Sequence, residues 1–135
     1  RSEEEVSYLM NLFIRVFKEC IKEFNENNIK VVFSGRKEPL SDKVYAAMNE
    51  LEESTKTNTG GTINICLNYG GRAEIIDTTK KIVKEVNEGK IKLEEITEDY
   101  FSKMLYKDLP PIDFLIRTSG EVRVSNFMLY QLAYA

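Results

Sequence analysis

Short β-branched runs alternate along this chain with longer stretches in which apolar residues recur every three or four positions. That alternation restricts the fold more than any other feature. Strands separated by helix-length segments pair side by side through right-handed crossovers into a parallel sheet. Three runs read as strands: residues 29–33 (Ile-Lys-Val-Val-Phe), 62–68 (Thr-Ile-Asn-Ile-Cys-Leu-Asn) and 112–116 (Ile-Asp-Phe-Leu-Ile). A first helix opens at Ser2, which with Glu5 has capping-box spacing, and runs to about Asn27. Its apolar stripe is Val6, Leu9, Met10, Phe13, Phe17, Cys20, Ile21 and Phe24, widened by Tyr8, Leu12 and Val16. A second helix is capped by Ser41 and carries Val44, Ala47, Met48 and Leu51 on one face. A third carries Ile75, Ile82 and Val86 and closes near Gly89; a short helical pair covers 93–106. Pro110-Pro111 then forces an extended entry into the last strand, and residues 127–134 read as a final helix. The expected class is α/β with a parallel sheet.

Composition excludes several chemistries. The 135 residues fit one domain, and the net charge of −3 provides no global basic footprint for nucleic acid. There is no histidine, which removes Ser-His-Asp and Cys-His catalysis and histidine metal sites. Cys20 and Cys66 each lie in an apolar stretch and read as buried free thiols, which suits a reducing compartment. No signal peptide or membrane-length apolar run is visible. The chain starts at Arg1 and stops at Ala135 inside an apolar helical pattern, so a piece of a longer protein is expected.

The polar stretch between the last strand and last helix, Arg-Thr-Ser-Gly-Glu-Val-Arg-Val-Ser at 117–125, concentrates chemistry. Two guanidinium forks, Arg117 and Arg123, with the Ser125 hydroxyl can surround a diphosphate, and backbone N–H groups at a helix start favour anions. The same residues also fit surface ion pairing of Glu121 with Arg123 and Ser125 as a helix cap. The Gly70-Gly71-Arg72 turn permits close backbone approach but is neither a Walker loop nor a dinucleotide fingerprint. Arg72 there fits simply starting a helix.

Arg-Thr-Ser-Gly-Glu-x-Arg-x-Ser-Asn-Phe, followed by an aliphatic-aromatic-Gln-Leu-Ala-Tyr segment, closely resembles the signature of the cis-prenyltransferases. Asn68 to Ile75 resembles a second motif of that family, and the similarity runs along the whole chain. The resemblance implies condensation of isopentenyl diphosphate onto an allylic diphosphate, normally farnesyl diphosphate. The product is a long cis-polyprenyl diphosphate such as undecaprenyl diphosphate, a lipid-carrier precursor for cell-wall synthesis. By matching positions it implies that Arg117, Arg123 and Ser125 bind the isopentenyl diphosphate group. Arg1 matches a mobile-loop arginine near the substrates, and Glu5 an acidic position on a tunnel-wall helix. Glu121, Asn68 and Arg72 are supporting candidates. Leu9, Phe13 and Phe17 would line a tunnel for the growing chain, with Ile63 or Ile65 at its floor. Magnesium, a homodimer, a cytoplasmic location and peripheral membrane contact for product release come with the resemblance, and nucleic acid does not.

The departures from the family pattern carry equal weight. The Asp-Gly-Asn-Gly-Arg-Trp motif is absent and is expected upstream of Arg1 with the metal-binding aspartate, and a family acidic ligand is expected directly after Ala135. On this reading residues 1–135 are the central and C-terminal portion of one domain, inactive alone. A non-catalytic partner subunit and a generic diphosphate-binding α/β module are the alternatives.

Overall fold

The computed structural model describes residues 2–135 and divides the chain into two compact units, Arg1–Asn68 and Tyr69–Ala135.

The first unit is built from α1 (Glu3–Glu26), β1 (Ile29–Ser34), α2 (Asp42–Thr55) and β2 (Gly61–Cys66). Both capping signals hold. Ser2 and Glu5 form the reciprocal capping box, and Ser41 Oγ accepts the Val44 N–H. β1 and β2 pair in parallel, with Ile29 opposite Gly61 and Ser34 opposite Cys66, and α2 supplies the crossover. The core is Phe17 from α1, Val31 and Phe33 from β1, and Val44, Ala47, Met48 and Leu51 from α2. Each such large side chain contributes roughly 1.5–3 kcal/mol of transfer free energy. Phe17 meets Phe33 edge-on at 5.0 Å and stacks on Phe13 at 5.7 Å.

The α1 stripe is less deeply buried than its sequence predicts. Phe17 alone is fully buried, Met10, Phe13, Ile14, Ile21 and Phe24 are half-covered, and Tyr8 is 70% exposed. Neighbours among the described residues cover the middle and end of the helix but not its first turns. Cys20 and Cys66 are free and half-buried rather than buried.

On its side away from β2, β1 is met among the described residues by side chains of α2. The Val31 N–H donates to Thr55 Oγ1 at 3.0 Å and the Phe33 N–H to Glu52 Oε1 at 2.6 Å. Side chains of one helix thus occupy the ladder donors that an edge strand otherwise presents.

The second unit contains α3 (Gly71–Asn87), a 3₁₀ turn (Leu93–Glu95) and α4 (Glu98–Met104), followed by irregular chain. Two expectations fail here. Residues 112–116 form no ladder among the described residues; the Ile112 N–H donates to the Gln131 carbonyl, while Phe114 and Ile116 are 77% and 76% exposed. Residue pattern marks compatibility with a strand, but a strand exists only through a paired backbone. Residues 127–134 wind as successive turns instead of a regular helix. Ser125, Asn126 and Met128 have positive φ, which a right-handed helix does not accept, and the hydrogen bonds that follow are mostly three residues apart.

Candidate functional site

The 117–125 stretch is exposed throughout and folds back on itself, with Ser119 and Gly120 both at positive φ. Arg117 closes this turn. Its Nη1 donates to the Arg123 carbonyl and, at 2.8 Å, to Ser125 Oγ. Those bonds use the two N–H groups of one terminal nitrogen. Neither bond uses the Nε–Nη2 edge, the fork whose geometry matches a phosphate or carboxylate. Ser125 accepts from Arg117, so its own O–H can point at the same anion.

Arg123 is partly committed: its Nε lies 3.0 Å from Glu121 Oε2. The ion pair expected from the sequence therefore forms. Exposed pairs of this kind are worth only about 0–1 kcal/mol, so an arriving diphosphate can displace the carboxylate. Arg117 and Arg123 line a hollow of about 260 Å³ with Leu115, Ile116, Val124, Ser125 and Phe127. The turn thus sets two cations and a hydroxyl beside apolar side chains, an arrangement suited to a molecule with an anionic head and a hydrocarbon tail.

Ser125 does not cap a final helix, since none follows. The residue beside it caps a different one. The Asn126 carbonyl accepts the Gly71 N–H at 2.7 Å, and Asn126 Oδ1 accepts the Arg72 N–H at 2.9 Å. The glycine turn before α3 is accordingly no phosphate cradle: two of its N–H groups already have protein acceptors. Glycine is needed for the approach. A Cβ on Gly70 would lie 2.9 Å from Asn126 Nδ2, and one on Gly71 would lie 2.8 Å from Leu129 Cγ. The Arg72 backbone enters this junction while the residue itself is exposed.

Behind the junction Glu74 is 2% exposed and accepts three hydrogen bonds. The donors are the Tyr69 hydroxyl at 2.5 Å, Gln131 Nε2 at 2.8 Å and the Tyr106 N–H at 3.0 Å. Tyr69 also meets Phe127 edge-on at 5.9 Å, next to the turn. The Tyr130 hydroxyl donates to the Glu98 carbonyl at 2.9 Å. Burial, with the Glu98 and Asp99 charges adding, raises its pKa above the ordinary phenol value. Sequence reasoning did not single out Asn126 or Glu74. The available signal was membership of the two quoted motifs, Asn126 in the one that begins at Arg117 and Glu74 in the one from Asn68 to Ile75.

The other expected site residues are placed differently. Asn68, in the first unit, clasps the loop after β1: its Nδ2 donates to the Arg36 and Glu38 carbonyls at 2.9 and 2.7 Å. Glu5 is engaged in the capping box of α1. Arg1 lies outside the described residues. Phe17 is a core residue, whereas Ile63 is 40% exposed. Among the described residues no group of three or more Asp, Glu, Cys or His side chains is placed to hold a metal ion.

A parallel strand pair in the first unit and an exposed two-arginine turn in the second define the class as an α/β protein with a local cluster of cationic side chains. The chain matches the prenyltransferase family model of undecaprenyl diphosphate synthases over residues 1–135, and it belongs to that family. It is 47% identical over its whole length to the isoprenyl transferase of Fusobacterium nucleatum, covering 56% of that protein. It is 43% identical to the farnesyl-diphosphate-specific ditrans,polycis-undecaprenyl-diphosphate synthase of Vibrio cholerae, covering all of this chain and 54% of that one. Among solved structures, the lavandulyl diphosphate synthase of Lavandula x intermedia, in complex with dimethylallyl diphosphate, superposes with a TM-score of 0.90 at 31% identity. That match covers 97% of this chain and 58% of the other. The chain thus spans about half the length of the curated relatives it matches.

Proposed function

We propose that this chain supplies the isopentenyl-diphosphate-binding part of a cis-prenyltransferase. The enzyme joins isopentenyl diphosphate to an allylic diphosphate and builds a long polyprenyl diphosphate of the undecaprenyl type. The observation that carries the reading is the Arg117–Ser125 bond within the signature turn of the family. It leaves one guanidinium fork, a second arginine and a hydroxyl beside an apolar hollow. The fork and Arg123 hold the diphosphate, and Leu115, Ile116 and Phe127 meet the short hydrocarbon.

The proposal gives this chain binding rather than turnover. Magnesium would assist departure of the allylic diphosphate in the whole enzyme. The described residues form no cluster that fits the ion. A homodimer, a cytoplasmic location and product release at a membrane surface belong to the same proposal. No helix among the described residues is long and apolar enough to cross a membrane. One relative is named as farnesyl-diphosphate specific and another is solved in complex with dimethylallyl diphosphate, so the allylic partner is proposed only as a class.

Calorimetric titration of the chain with isopentenyl diphosphate, and separately with inorganic diphosphate, tests the reading. Tighter binding of isopentenyl diphosphate is expected because the hollow is apolar. Equal affinities would reduce the site to a generic diphosphate binder, and absence of binding to either would refute it.

A further inference from the structure

We propose that Asn126 is a positioning residue for the diphosphate-binding turn, clasping it to the first turn of α3. The inference rests on the proposed function for its ligand, but its geometry stands independently. The first N–H groups of a helix have no intrahelical acceptor, and a side chain at the N-cap usually supplies one. The N-cap of α3 is Gly70, which has no side chain to offer. Asn126 substitutes from a distant part of the sequence and supplies two acceptors, its carbonyl to Gly71 and its Oδ1 to Arg72.

Reaching both at once requires φ near +63° at Asn126, a conformation that asparagine tolerates better than most residues. The next contacts keep the segment flat against the helix: Leu129 lies over Gly71, and Gln131 reaches Glu74. Ser125 immediately precedes the clasp, and Arg117 is held by Ser125. A rigid line of bonds therefore runs from the α3 backbone through Asn126 to Ser125 Oγ and the Arg117 fork. The turn is otherwise fully exposed and has little packing to hold its shape. Without the clasp the fork and the hydroxyl lose their fixed separation, and the ligand must order them on binding.

The test compares the full chain with Asn126→Gly and Asn126→Asp. Glycine permits the same backbone and keeps the carbonyl bond but removes Oδ1; aspartate keeps an acceptor at that atom. Isopentenyl diphosphate affinity is read by calorimetry, Arg72 amide protection by hydrogen exchange, and the Ser125 amide and Arg117 Nε–H shifts by NMR. Asn126→Gly is expected to weaken binding about five- to tenfold and to lower Arg72 protection by a similar factor. The Ser125 and Arg117 signals should move with it, and Asn126→Asp should stay near wild type.

Lost Arg72 protection with unchanged affinity would overturn the proposal, leaving Asn126 a helix cap only. Equal weakening by the aspartate variant would also overturn it. Should Asn126→Gly not fold, Gly70→Ala makes the same test by crowding Asn126 Nδ2, and unchanged affinity there counts against the clasp. If the wild-type chain binds no isopentenyl diphosphate, the functional reading fails. The clasp is then judged on the NMR signals alone, and unmoved Ser125 and Arg117 signals in the glycine variant overturn it.

Discussion

Arg117 Nη1 donates to Ser125 Oγ at 2.8 Å, so the first cation of the turn is aimed by the hydroxyl eight residues downstream. The same nitrogen also holds the Arg123 carbonyl, which places the backbone of the second cation. Arg117 thus braces the turn through one terminal nitrogen, and in the proposed site its other edge meets the ligand, whereas the Arg123 side chain adds charge without bracing the turn.

That division predicts unequal effects. Arg117→Ala is expected to weaken isopentenyl diphosphate binding about ten- to hundredfold, and Arg123→Ala by less. Arg117→Lys should resemble the alanine variant, because a lysine has no second planar edge to offer while bracing the turn. Isothermal titration of the three variants measures this. A lysine variant as tight as wild type would show that charge without fork geometry suffices.

Glu121 pairs with Arg123 and, in the proposed site, competes with the ligand for it. Glu121→Gln should therefore tighten binding of isopentenyl diphosphate a few-fold at low salt. The gain should shrink as ionic strength rises past about 0.15 M, where exposed charges are screened. Weaker binding in the variant would instead make Glu121 a contributor to the site.

Glu74 is expected to dominate the stability of the second unit. Glu74→Gln replaces one carboxylate oxygen by an NH₂ group; with the remaining oxygen kept on the Tyr106 N–H, the Tyr69 hydroxyl and Gln131 amide, both donors to the carboxylate, must reorient to accept. A loss of about 1–3 kcal/mol follows. Urea denaturation should show the midpoint fall, and a midpoint within error of wild type would show that the site relaxes to admit water.

Thr55 offers a cleaner case in the first unit. Its Oγ1 is fully buried, accepts the Val31 N–H and donates to the Leu51 carbonyl at 2.8 Å. Thr55→Val keeps the shape and removes the acceptor, which leaves the β1 donor unpaired at a cost of about 1–3 kcal/mol. Accelerated amide exchange at Val31, relative to its neighbours, is the site-specific reading of the same loss.

Much of the first unit was legible in the sequence because its signals are local. Ser2, Glu5 and Ser41 marked helix starts, residues 29–33 read as a β-branched strand, and the α2 face from Val44 to Leu51 is the face that is buried. The clustering of two arginines and hydroxyls at 117–125 was legible from residue type, and the Glu121–Arg123 ion pair from spacing. Long-range pairing was not. Residues 112–116 have strand composition without a described ladder partner, and the positive φ of Asn126 and Met128 follows from what Asn126 reaches across the chain. Closure of β1 by Thr55 and Glu52 was hidden for the same reason: a threonine and a glutamate near a helix end read as solvated until the strand is set beside them.

The parallel pairing of β1 with β2 carries a kinetic consequence. Ile29 faces Gly61 and Ser34 faces Cys66, so no hairpin can seed this sheet, and every rung waits for α2 to be laid across. Contacts between residues far apart in sequence form late, because the intervening loop must first be closed. Folding of the first unit should therefore begin with α2 docking on α1 through Phe17 and Leu51, and the sheet should close afterwards. Pulse-labelled hydrogen exchange during refolding should protect amides of α1 and α2 before those of β2, and simultaneous protection would mean that the strands pair as early as the helices.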